Sequence, residues 1–230
     1  MCGGAPQNFA SLAGMDAVEL RFPFSGWWQA RNSPARKVPS HGTHILGTTY
    51  AIDFIGLSDT KRRAPWSFAT AFGLEDPGIF PSFGRELLAP VAGQVVQAWD
   101  DIEDHEARRS QFRLLPYVLA QQKRLRDGGV RAIAGNTVLI RCTRTGAYVA
   151  LCHLKQGSSR VRVGDTVNIG DVVGECGNSG NSTQPHLHIQ VTDSPDWDTC
   201  TALPMAFTSG PEAPWMPGEN EIFHVPPPTA

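Results

Sequence analysis

Residues 185–191 read Pro185-His186-Leu187-His188-Ile189-Gln190-Val191, and their alternation decides the fold. In an extended strand, side chains two apart project from the same face. Leu187, Ile189 and Val191 therefore make one apolar face, and His186, His188 and Gln190 the other. Two imidazoles about 7 Å apart along a strand make a poor core but a good start for metal binding or acid–base chemistry. Taken alone, the stretch is equally a surface strand with incidental histidines. The surrounding sequence decides between the two readings.

Before this strand the same pattern recurs. Residues 136–142 and 148–154 form apolar runs joined by a turn at Gly146, followed by Val161 to Val167 and Asp171 to Cys176. Gly164-Asp165 and Gly170-Asp171 are hairpin signals. Upstream, Tyr50 to Ile55 and Leu88 to Trp99 read as further strands. Arg21 to Ala30 is aromatic and reads as an edge strand. Ser58 to Arg85 has no period and is a long loop of the kind used as lids or binding loops. Asp100 to Arg126 differs: Leu114, Leu115, Val118, Leu119 and Leu125 recur at helical spacing, interrupted near Pro116.

The expected architecture is mainly β, an antiparallel sheet or barrel-sandwich with a helical insertion at about 102–127. The expected organisation is an N-terminal extension and edge strand over 1–39, a central domain over 40–194, and a loop-like tail, 195–230, packed on it.

Composition bounds the function. The 230 residues are 41% hydrophobic and 18% charged, enough for a globular core, and 23 glycines with 18 prolines suit a turn-rich β chain. A net charge of −2 gives no electrostatic reason to expect nucleic acid as partner. The five cysteines form no CxxC or metal-knuckle spacing, and Cys142, Cys152 and Cys176, in or beside apolar runs, read as buried thiols. No signal peptide or membrane-spanning run is visible, which reads as cytoplasmic, or as periplasmic or extracellular if a leader has been removed.

Asp53 lies amid Ala51, Ile52, Phe54 and Ile55, where a buried carboxylate is costly unless paired or metal-bound. Together with Gly135-Asn-Thr-Val-Leu-Ile140, Val149-Ala-Leu-Cys-His153-Leu154, Val163 to Gly174 and Gly177 to His188, the Tyr50-Ala-Ile-Asp-Phe54 strand resembles the lysostaphin/LytM-type zinc metallopeptidases. Ala89-Pro-Val-Ala-Gly-Gln-Val-Val96 belongs to the same resemblance, which spans roughly residues 40–99 and 134–192.

The resemblance implies a duplicated hybrid motif fold, and one zinc ion held by His41 or His44, Asp53 and His188. It further implies that His153 and His186 act on the water or the oxyanion. It also implies hydrolysis of peptide bonds in peptidoglycan stem peptides or cross-bridges, often beside glycine. Eleven residues separate His41 from Asp53 and eight separate His44 from it, a longer connection than the compact family pattern. Ser40-His41-Gly42 fits the longer-spaced members and favours His41.

Two other classes fit less of the chain. A zinc-free regulatory relative predicts missing ligands, whereas every ligand position is filled. Ala89 to Gly93 and Val163 to Gly170 also resemble lipoyl, biotinyl or phosphocarrier modules, but no lysine stands at a suitable hairpin tip, and a carrier has no need of Asp53.

Overall fold

Strand alternation sets up a sheet with one apolar and one polar face. A computed structural model describes residues 17–66, 70, 73–110, 121–210 and 213–227. The strands are β1 (Val18–Arg21), β2 (Gly26–Arg31), β3 (Ile52–Gly56), β4 (Glu86–Leu88), β5 (Gly93–Trp99), β6 (Asn136–Cys142), β7 (Tyr148–Leu154), β8 (Thr166–Val167), β9 (Val172–Glu175), β10 (Leu187–Thr192), β11 (Met205–Thr208) and β12 (Ile222–Val225). The helix α1 spans Gln121–Ala134.

Eight strands form one antiparallel sheet in the order β12-β2-β3-β10-β7-β6-β5-β8. Its edges, β12 and β8, do not meet, so among the described residues the sheet stays open rather than closing into a barrel. β4 pairs antiparallel with β9, and β1 pairs parallel with β11.

Period-two alternation divides the central strands between core and site. Ile52 and Phe54 of β3 and Leu187, Ile189 and Val191 of β10 join one apolar cluster, while Asp53, His188 and Gln190 turn to the opposite face. Aromatic rings anchor that cluster. Phe54 meets Phe24 edge-on at 5.0 Å and Phe207 at 5.3 Å, and Phe22 stacks on Phe207 at 5.0 Å. Phe54 is fully buried, so Phe54→Ala is expected to cost about 3–5 kcal/mol, read as a lowering of Tm by roughly 10 °C.

The structure corrects four sequence expectations. Arg21 to Ala30 is not one edge strand: it breaks between β1 and β2, and β12 covers the outer side of β2. The segment after Pro195 is not wholly loop, because β11 and β12 lie in it and deliver Met205, Phe207 and Val225 to the core. These four-residue strands are too short for a period to show. Strand β10 is buried on both faces rather than half-buried.

The helix is displaced as well. Residues 101–110 are non-helical apart from a bridge between Ala107 and Glu75, and α1 continues past Arg126 to Ala134. Asp100 and Asp104 accept backbone N–H groups from residues 156, 158, 159 and 178, and so tie the chain down instead of starting a helix. At the far end, Gly128-Gly129 carries the helix on through a kink at Gly129, with φ 63°. Pro116 and the leucines at 114, 115 and 119 lie outside the described residues.

Candidate metal centre

Antiparallel register brings the site together. His188 stands directly opposite Asp53 on the neighbouring strand β3, and His188 Nδ1 lies 2.9 Å from Asp53 Oδ1. His41 reaches the same carboxylate from the loop before β3, with Nε2 at 3.2 Å from both Asp53 oxygens. The long connection from His41 to Asp53 is folded back on itself by a 3-10 segment, Ile45–Tyr50, with Leu46 and Gly47 in left-handed conformation. Ser40 N donates to Thr49 O at 2.9 Å and closes that excursion.

One donor atom from each of His41, Asp53 and His188 lies within 4.8 Å of the others, and these three residues can hold a metal ion. His44 stays exposed outside this cluster, its Nδ1 2.9 Å from Thr49 Oγ1.

Hydrogen bonding settles which nitrogens are basic. Gln190 donates through Nε2 to Leu46 O at 2.7 Å, so its Oε1 is the acceptor for His188 Nε2–H at 3.0 Å. That leaves Nδ1 of His188 for Asp53 or a metal. Ser40 Oγ donates to Thr48 O at 3.2 Å and accepts from His41 Nδ1–H at 3.0 Å, which leaves Nε2 of His41 toward Asp53. Asn32 Nδ2 donates to Asp53 Oδ2 at 2.7 Å. Nothing in the sequence marks Asn32 for this role; its φ of 51° at the end of β2 is a conformation asparagine tolerates better than most residues.

Two further histidines border the cluster. His186 Nε2 is 3.7 Å from Asp53 Oδ1, and its Nδ1–H donates to Gln184 O at 2.8 Å. His153 Nδ1–H donates to Ser179 O at 2.9 Å, and its ring lies 4.8 Å from that of His186 and 5.9 Å from that of His188. Both rings thus keep Nε2 as the basic nitrogen. His153 comes to the site by an irregularity. Cys152 and Leu154 pair with the consecutive residues Thr137 and Asn136, so His153 is an extra, bulged residue with φ 63°. A bulge re-aims a side chain, and here it lets the neighbours Cys152 and His153 both line one cleft of about 180 Å³ with His41 and His188. Regular alternation would have sent them to opposite faces.

The preceding loop is held by backbone-to-backbone packing. Gly180 has φ 69°, and a Cβ there would lie 2.5 Å from Gly135 N. Two larger hollows, of about 350 and 270 Å³, share Arg21, Ile169 and Thr208 and hold none of these histidines.

The electrostatics follow the geometry. Burial alone would raise the Asp53 carboxyl, but the charges of His41 and His186 and the hydrogen bonds from His188 and His41 hold it well below the usual carboxylate range. Burial opposes the charged form of His188, yet its bond to Asp53 pushes the imidazole up. Burial, then the neighbouring His186 and His188, pushes His153 well down, and burial also lowers His186. The arrangement is an anionic centre ringed by imidazoles, two of which favour the neutral form.

The sheet thus carries a His–Asp–His cluster that can hold a metal ion on its polar face. Residues 120–198 match the family model of Peptidase family M23, a stretch containing His153, His186 and His188, and this supports the LytM-type metallopeptidase resemblance of the motifs. No curated protein matches the chain.

Among solved structures, the chain is similar to the catalytic domain of lysostaphin from Staphylococcus simulans, at 17% identity and TM-score 0.38, over 84% of this chain and 92% of that one. It spans only 44% of a longer lysostaphin chain. It is similar too to a zinc-containing peptidase from Vibrio cholerae, at 18% identity and TM-score 0.34, over 77% of this chain and 37% of that one. Pseudoalterin, a deep-sea M23 metalloprotease, aligns at 12% identity and TM-score 0.42, over 81% and 75%. No helix among the described residues is long and apolar enough to cross a membrane.

Proposed function

We propose that this protein is a zinc-dependent endopeptidase that hydrolyses peptide bonds in the stem peptides or cross-bridges of peptidoglycan. The observation that carries the reading is the convergence of donor atoms from His41, Asp53 and His188 within 4.8 Å of one another, with His41 and His188 lining a cleft. Two imidazole nitrogens and a carboxylate are a zinc-type donor set, and three protein ligands leave a position open for water or substrate. A zinc ion held there supplies Lewis-acid polarisation of the scissile carbonyl and acidifies water.

The residues of the chain do the rest. His153, held by Ser179 O, offers a neutral Nε2 to take the proton from the attacking water. His186 Nε2, 3.7 Å from Asp53 Oδ1, is a second basic nitrogen, placed to accept from the attacking water and orient it. The proposed catalytic unit is residues 40–194, preceded by an N-terminal extension over 1–39 and followed by a tail over 195–230. The substrate class comes from the motif resemblance and from relatives described as lysostaphin, an antimicrobial peptidase.

Asn32 is proposed to orient Asp53 from behind. Asn32→Gly removes the amide but tolerates φ 51°, and is expected to weaken zinc binding about 10–100-fold. Competition with a chromogenic chelator measures this. For the function itself, purified peptidoglycan is incubated with zinc-loaded protein and the newly exposed amino groups are counted. Release that stops on chelation and returns with zinc supports the proposal. A chain with stoichiometric zinc that exposes no amino groups would refute it.

A further inference from the structure

Asp104 lies on the arm between β5 and α1, in a stretch where no motif points to it. Its carboxylate joins two segments. Oδ1 accepts from Asn178 N at 2.6 Å and Oδ2 from Gln156 N at 2.9 Å. Those two residues bracket His153. Gln156 follows it by three positions, and Asn178 precedes Ser179, whose carbonyl holds His153 Nδ1–H. Gly177 N in turn donates to His153 O at 3.0 Å. The approach is close: a Cβ on Gly177 would lie 2.5 Å from Asp104 Oδ1 and 2.3 Å from Lys155 N.

His105 continues the grip, with Nε2 2.9 Å from Gly180 O and its backbone N 3.3 Å from Asn178 O. Asn178 Nδ2 returns a bond to His105 O at 2.5 Å. The arm therefore clasps residues 178–180 from outside, while His153 Nδ1 holds them from within.

His153 requires support of this kind. It is the unpaired residue of a bulge, with a left-handed φ of 63° that residues bearing a Cβ disfavour. Its ring orientation depends on one carbonyl, that of Ser179, in a loop without regular structure. A carboxylate that accepts two backbone N–H groups makes charge-assisted bonds stronger than neutral ones. Asp104 places one of those bonds three residues past the bulge and the other next to Ser179.

We propose that Asp104 is a positioning residue for His153: it fixes Asn178 and Gln156 so that Ser179 O holds the Nδ1–H of His153 and Nε2 stays in the metal cleft. The kinetic part rests on the reading of His153 as proton acceptor in the proposed hydrolysis. The stretch read from sequence as a helical insertion is, at Asp104, a strut of the site.

The test compares full-length, zinc-loaded Asp104→Ala, Asp104→Asn and His153→Gly with the wild type. Pentaglycine peptide hydrolysis and the imidazole Nδ1–H resonance of His153 in 15N-edited spectra are followed. Asp104→Ala is expected to lower kcat about 10–100-fold, the range of an ångström-scale misplacement, with KM and zinc affinity unchanged. The His153 Nδ1–H resonance is expected to vanish through exchange with water. Asp104→Asn keeps one acceptor oxygen and is expected to show a smaller loss of the same kind; it carries the test alone if the alanine variant does not fold.

Wild-type kcat and an intact resonance in these variants, with His153→Gly inactive, would overturn the proposal and leave the role of His153 standing. A kcat loss with an intact resonance overturns it as well. If His153→Gly stays active, the role of His153 fails. Loss of the resonance in the Asp104 variants then still supports Asp104 as its positioner, and an intact resonance overturns it.

Discussion

Asp53→Ala is expected to abolish zinc binding and hydrolysis together while leaving the sheet folded. Asp53 is the hub of the cluster: His41, His186, His188 and Asn32 all face its carboxylate within 3.7 Å. Removing it takes away one of three proposed ligands and the only anion among them. Zinc affinity should fall further than the roughly 100-fold reached when an outer partner of a ligand is lost.

The fold should survive, because the core lies on the other face of β3, carried by Ile52 and Phe54. Without Asp53, burial favours the neutral form of His188, so no unpaired buried cation is left behind. Competition titration with zinc and a thermal melt check both halves. Undiminished zinc binding in Asp53→Ala would remove this cluster from consideration as the metal site.

The second large effect is expected at His153. His153→Gly should lower kcat about 10²–10⁴-fold, the usual contribution of a general acid–base group, with zinc affinity nearly unchanged. Glycine is the informative replacement, since it adopts the φ of 63° without strain and so separates chemistry from backbone cost. The pH dependence has a definite sign. Burial, with His186 and His188 next, lowers the pKa of His153 below the ordinary 6.5. The neutral, proton-accepting form therefore predominates at neutral pH and is lost only as the pH falls below that value. The acid limb of kcat should lie below pH 6.5 in the wild type. An acid limb at or above that value would contradict a proton-accepting role for His153.

Much of this site was legible in the sequence because strands report their faces directly. The alternation of residues 185–191 fixed which side of β10 carries the imidazoles, and the apolar neighbours of Asp53 put it on a strand as well. What the sequence could not show depends on departures from regularity. The bulge at His153 breaks the period-two rule at the residue where the proposed chemistry depends on it. Asn32 bonds Asp53 once, and Asp104 bonds Gln156 and Asn178, partners far away in sequence that no local pattern encodes.

The short strands β11 and β12 escaped notice because four residues among prolines carry too little alternation, yet both deliver side chains to the core, and β12 adds an outer strand beside β2. The helix was expected from the spacing of apolar residues between 114 and 125, but the described helix runs on to Ala134 and residues 101–110 stay outside it. Asp100 and Asp104 bind backbone N–H groups of the loops, a use of Asp that competes with helix formation.

The most direct test of the account is a crystal structure of the zinc-loaded protein, with anomalous diffraction collected at the zinc edge. The account predicts one strong peak about 2.0–2.2 Å from His41 Nε2, an Asp53 oxygen and His188 Nδ1, with His44 remote from it. A peak coordinated by His44, or one lying away from Asp53, would contradict it.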